Sequence, residues 1–308
     1  MGERLKGRVA IVTGAGRGIG RGEALCLADE GAAVVVNDFG GTAHGEGGER
    51  GPADSVVEEI RSRGGKAVAN YGNVASFADA EAMVKQAIDE FGRLDIVVNN
   101  AGILRDRMVF NMSEEEWDAV IAVHLKGHFN LTRHACVVFR QQRSGVIINT
   151  SSESGLGNMG QANYSAAKEG IVGLTRTTAR DMGRYGVRCN AIRPRAATRL
   201  TISDEMKAAA ARGGAAGMSL EALEAFAKQF PPEAIGPFVT WLCTDEAKNI
   251  NGRTFLVAGR QISLYTEPVW ESTIFGESDW TVDKLSAIVP RTIAAGLRNQ
   301  WPPQEPKE

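Results

Sequence analysis

The chain has 308 residues, of which 43% are hydrophobic and 23% charged, with a formal net charge of −2. That length supports a sizeable core, with some chain to spare beyond one compact domain. The balanced charge excludes the concentrated Lys and Arg that nucleic acid or an anionic membrane surface requires, and no run approaches the roughly 18 apolar residues of a membrane-spanning helix.

In chain order, short β-branched runs alternate with longer helical patterns. Strands are predicted at 8–13, 33–37, 66–71, 94–99, 145–150, 187–192 and 254–259, and helices near 19–30, 53–63, 76–91, 114–142, 162–184 and 233–245. Apolar runs without alternation read as strands buried on both faces, and the strand-helix rhythm reads as right-handed βαβ units. The expected fold is α/β: a Rossmann-type, doubly wound, seven-stranded parallel sheet flanked by helices over residues 1–260. Two stretches break the rhythm. Residues 40–52, "GGTAHGEGGERGP", form a Gly-rich surface loop, and residues 199–232 form an Ala-rich helical insertion expected to act as a substrate lid. Residues 261–308 carry Trp270, Trp280 and Trp301, so this extension is expected to pack on the domain or on a neighbouring subunit. The last residues, "PPQEPKE", have a disordered composition.

Cys26, Cys136, Cys189 and Cys243 lie far apart without C-x-x-C or Cys/His metal spacing, so they read as reduced core residues and no metal is expected. The N-terminal stretch lacks the pattern of a secretory signal, which points to the cytoplasm.

The chemistry-bearing motifs follow the strand ends. After the first strand, "TGAGRGIG" supplies Gly14, Arg17, Gly18, Ile19 and Gly20 at a strand-to-helix turn. Glycines there allow the backbone to approach a pyrophosphate, which the helix N-terminus favours. Asp38, at the end of the second strand, can accept hydrogen bonds from both adenosine ribose hydroxyls and would repel a 2′-phosphate, which favours NAD over NADP. Arg17 is the opposing sign. In "GQANYSAAKEG", Tyr164 and Lys168 stand four residues apart and so share one helix face.

Together "TGAGRGIG", "NNAG", "NTSSESG" and "YSAAK" resemble the short-chain dehydrogenase/reductase family over about residues 1–260. The resemblance implies hydride transfer between a secondary alcohol and a nicotinamide cofactor, with Tyr164 as acid/base and Lys168 lowering its pKa and holding the ribose. Lowering a tyrosine from about 10 to near 7 takes roughly 4 kcal/mol. Ser151, thirteen residues before Tyr164, would bind the substrate oxygen. His124 stands where the family usually has a relay asparagine and is carried as a candidate relay. Asn73 and Val74 would meet the adenine, Asn100, Ala101 and Gly102 would line the cofactor, and Pro194 and Thr198 would flank the nicotinamide. Arg195 departs from the family's Pro-Gly pattern and is a candidate contact for an acidic part of substrate or cofactor. Longer matches, "VVVNDFGG", "VVNNAGILRDR" and "VHLKGHF", resemble the (3R)-hydroxyacyl-CoA dehydrogenase units of the peroxisomal multifunctional enzymes, which suggests an acyl-CoA or steroid substrate. An NADPH-dependent 3-oxoacyl-carrier-protein reductase and an inactive dinucleotide-binding regulator are the alternatives. The family's habit implies a homodimer or homotetramer.

Overall fold

The computed structural model describes residues 2–47, 50–202 and 219–302. Strands β1 (Val9–Thr13), β2 (Ala33–Asn37), β3 (Lys66–Asn70), β4 (Ile96–Asn99), β5 (Gly145–Thr150), β6 (Val187–Arg195) and β7 (Thr254–Ala258) run parallel. An eighth, β8 (Gln261–Leu264), pairs antiparallel with β7 and corrects the expected count of seven. It escapes a sequence reading because "QISL" is a half-polar edge strand with no buried apolar run. Gly259, at φ +56°, makes the reversal between the two strands.

The order β3-β2-β1-β4-β5-β6-β7-β8 reverses direction at β1, which opens a crevice at the carboxyl ends of β1 and β4. Alternating side chains feed two cores. Ala10, Val12, Val34, Val36 and Ile148 pack toward α1 (Gly18–Asp29), α2 (Gly51–Ser62) and the helix Gly236–Leu242. Ile11, Val35, Val97 and Ile147 pack toward α3 (Phe77–Phe91), α5 (Gly127–Gln142) and α6 (Ala162–Gly183).

The single helix expected over 114–142 is three pieces. A capping box between Ser113 and Glu116 starts α4 (Glu114–Ile121), a π-helical turn spans Ala122–Lys126, and α5 continues. Such a turn is one residue wider than an α-helical turn, and "AVHLK" holds no Gly or Pro to mark it. Of the expected lid, 203–218 lie outside the described residues, as do 303–308 of the tail. Its described remainder includes the helix Leu220–Gln229, capped by Ser219. The chain divides into two compact units, Met1–Tyr265 and Thr266–Glu308. The first extends past 260 because β8 belongs to the sheet. The second contains a short helix, Val282–Ile288, capped by Thr281.

Candidate active site

The crevice at the strand switch holds a cavity of about 300 Å³ lined by Gly14, Arg17, Gly18, Ile19, Asp38, Asn73, Val74, Asn100, Ala101, Gly102 and Thr198. Gly14 and Gly18 have φ of +62° and +57°, and a Cβ on Gly14 would stand 2.8 Å from the Ala101 Cα. Gly20 is a packing glycine instead: its Cβ would meet the Gly14 carbonyl at 2.4 Å. The Asn100 amide donates to the Thr13 and Gly14 carbonyls at 2.9 and 3.2 Å, and Thr13 Oγ1 accepts from the backbone N–H groups of Asn100 and Ala101. Thr13, the threonine that opens "TGAGRGIG", therefore ties the ends of β1 and β4 together. Asp38 accepts from the N–H groups of Gly16 and Gly40 at 2.8 and 2.7 Å, which aims its carboxylate into the crevice. This cradle, open only where glycines stand, fits a dinucleotide. Pro194 does not line it; it lies in β6 opposite Val257.

The described first part of the Gly-rich loop after β2 is tied down by contacts from distant segments. The Leu104 N–H donates to the Ala43 carbonyl at 3.0 Å, Arg105 Nε donates to the His44 carbonyl at 2.9 Å, and Arg199 donates to the Gly41 carbonyl at 3.1 Å. Phe39, Thr42, Gly45, Arg199 and Leu200 thus join the crevice wall, and none of them was marked by a motif.

Tyr164 and Lys168 meet as their spacing predicts, with the Lys168 Nζ 5.4 Å from the phenol ring centre. Lys168 is 2% exposed and donates to the Thr150 carbonyl at 2.6 Å; burial pulls its pKa down to about 7. Burial pushes the half-buried Tyr164 up to about 12, opposed by a hydrogen bond with Ser152 and reinforced by Asp106. Ser151 is elsewhere. Its hydroxyl is 1% exposed and donates to the Lys168 carbonyl at 2.7 Å, so it braces α6. Period-two alternation at the end of β5 turns residue 151 inward and brings Ser152 to the phenol. Ser152 Oγ accepts from the Ser154 N–H at 3.2 Å, which leaves its proton free to donate. The doublet "SS" carried this ambiguity, and the interval to Tyr164 selected the inward member.

His124 sits in the π-helical turn, 1% exposed, with its ring edge-on to Tyr164 at 5.0 Å. Its Nε2 is 2.8 Å from the Ile103 carbonyl and 3.0 Å from the Ile103 N–H, while Nδ1 has no partner among the described residues. Burial, then the charge of Lys168, holds it well below the usual histidine range, so it is neutral. A relay through His124 would have to use Nδ1. Gly102 makes room for the ring, since a Cβ there would stand 2.4 Å from its Cε1. Gly102→Ala is therefore expected to lower stability by about 1–3 kcal/mol through overpacking, read as a fall in thermal midpoint. Arg195 turns away from the crevice and pairs with both Glu153 oxygens at 2.9 Å. No group of His, Cys, Asp and Glu among the described residues could hold a metal ion, and no described helix is long and apolar enough to cross a membrane.

The short chain dehydrogenase family profile matches residues 8–209. Peroxisomal multifunctional enzyme type 2 of Mus musculus is 45% identical over 275 residues, covering 88% of this chain, which spans 34% of the mouse protein. Hydroxyacyl-CoA dehydrogenase ChsB1 of Mycobacterium tuberculosis is 42% identical over 318 residues, 99% of this chain and 92% of that protein. A crystal structure of a short chain dehydrogenase from Mycobacterium avium superposes with a TM-score of 0.79 at 43% identity, covering 94% of this chain and 95% of that one. Strand order, glycine cradle and family match agree: this chain belongs to the short-chain dehydrogenase family, oxidoreductases that act on CH–OH groups with a nicotinamide dinucleotide.

Proposed function

We propose that this enzyme interconverts a secondary alcohol and a ketone with NAD, and that its substrate is a 3-hydroxyacyl-CoA of lipid or sterol metabolism. The observation that carries the reading is the meeting of Ser152, in the turn just past the end of β5, with Tyr164 and Lys168 of α6. The substrate class is supported by a relative of nearly equal length whose name is hydroxyacyl-CoA dehydrogenase.

The bound nicotinamide supplies the hydride acceptor. As hydride leaves the carbinol carbon, the hydroxyl proton passes to the Tyr164 oxygen and a carbonyl remains. Ser152 donates to the substrate oxygen in place of Ser151 and stabilises charge developing there. Lys168, steadied by the Thr150 carbonyl, favours the phenolate and holds the ribose of the nicotinamide half. His124 walls the phenol and fixes the Ile103 turn. A direct test is NADH formation with a medium-chain (3R)-hydroxyacyl-CoA, run beside a 17β-hydroxysteroid. Faster turnover of the steroid would overturn the substrate assignment and leave the chemistry standing.

Asp38 supports NAD: a carboxylate pinned by two backbone N–H groups cannot swing away from a 2′-phosphate. Arg17 and Arg199 also line the crevice, so the repulsion is partly offset. NADP is expected to bind about tenfold or more weakly than NAD, and Asp38→Ala to narrow that gap, by fluorescence titration of the reduced cofactors. Equal affinities in the unaltered protein would remove the assignment.

The four free cysteines suit a reducing compartment, and we place the enzyme in the cytoplasm. A homodimer or homotetramer is supported by the exposed Trp270, Phe275 and Trp301 of the C-terminal unit, which a second copy would cover.

A further inference from the structure

Strand β6 carries two arginines on one face, Arg193 and Arg195, separated by Pro194. Arg193 is 3% exposed, and desolvating a guanidinium is costly unless its donors are matched. Its two terminal nitrogens are matched, while Nε has no partner among the described residues. One terminal nitrogen donates to the Ser152 carbonyl at 2.9 Å and the other to Glu169 at 2.7 Å, while the ring of Tyr265 lies 5.0 Å from the guanidinium carbon. Ser152 is the hydroxyl beside Tyr164, and Glu169 directly follows Lys168 on α6. The turn is shaped around this link: a Cβ on Gly155 would stand 3.0 Å from the Glu169 carboxylate and 3.2 Å from Arg193 Nη1. Arg195 repeats the arrangement two residues further along the strand, forked onto Glu153 of the same turn.

We propose that Arg193 is a positioning residue, which clamps the Ser152 turn to helix α6 so that the serine hydroxyl keeps its place beside the Tyr164–Lys168 pair. The inference rests on the alcohol–ketone reading above. A planar fork suits the task, because its two terminal nitrogens reach a backbone carbonyl and a carboxylate at once; a lysine ammonium reaches one well. An ion pair between a buried guanidinium and a half-exposed carboxylate is weak evidence for stability, since an apolar side chain of similar volume often serves as well at the buried end. Its function is to fix geometry.

The test is a double-mutant cycle in the full-length enzyme with NAD and a medium-chain (3R)-hydroxyacyl-CoA. Arg193→Met, which keeps the volume, is expected to lower kcat about 10- to 100-fold while KM and cofactor affinity stay within about twofold. Ser152→Ala alone is expected to lower kcat by about 100-fold or more, and adding Arg193→Met to it should cost nothing further. Arg193→Lys, which restores one donor, should recover part of the loss and serves if the methionine variant folds poorly. Undiminished kcat in Arg193→Met beside a crippled Ser152→Ala overturns the clamp alone, as does a full additive loss in the double variant. Undiminished kcat in Ser152→Ala overturns the serine assignment and the clamp with it.

Discussion

Replacing Tyr164 by phenylalanine is expected to lower kcat about 10³-fold while NAD affinity changes little, measured as NADH formation and as quenching on cofactor binding. Both members of the pair resist charge in the protein: Lys168 is drawn down to about 7 and Tyr164 pushed up to about 12, each chiefly by desolvation. Two buried groups that each disfavour ionisation alone can still share it, because a phenolate and an ammonium at this distance stabilise one another in a low dielectric. The phenylalanine ring keeps the packing against His124 and removes the phenol oxygen that would take the proton. Lys168→Met should act through the same pair, raising the pH at which alcohol oxidation reaches half its maximum. A Tyr164→Phe enzyme that retained a tenth of the turnover would show that proton transfer runs through another group.

The fold was largely legible because its signals are physical necessities. Doubly buried strands must be apolar throughout, as in "VAIVT" and "AVVVN", and a backbone that must approach a phosphate must be glycine there. What stayed hidden is where geometry is decided by single-residue offsets. Ser151 and Ser152 differ by one position, and the pleat alone decides which faces the phenol. The π-helical turn at His124 lies in a stretch, "AVHLK", with no Gly or Pro to announce it. Thr13 and Arg193 act through backbone carbonyls and amides that are brought together only by strands distant in sequence. In the Gly-rich loop after β2, His44 is held by Leu104 and Arg105, sixty-odd residues further on.

Glu23→Gln is expected to stabilise the protein at pH 8 by on the order of 4 kcal/mol and to leave it almost unchanged near pH 4.5. Glu23 lies on α1 with no exposed surface, and neither carboxyl oxygen has a partner among the described residues. Desolvation alone drives its pKa up to about 8, far above the value of an unfolded chain. Between those two values the folded protein holds a proton that the unfolded chain has released. The contribution of Glu23 to stability is therefore complete below about pH 4.5, declines as pH rises, and is lost on passing about 8. His124 and His128 have the opposite sign, because burial lowers both and their neutral forms are favoured as pH rises. They are common to both proteins, so the difference between variant and parent isolates Glu23, whose titratable neighbours are Cys26 and Cys243. Glutamine keeps the shape of the protonated acid and cannot ionise. Thermal midpoints of the two proteins should coincide near pH 4.5 and diverge by roughly 6 °C by pH 8. Parallel curves across that range would mean that the carboxylate is stabilised in the fold, and that α1 tolerates a charge its packing does not match.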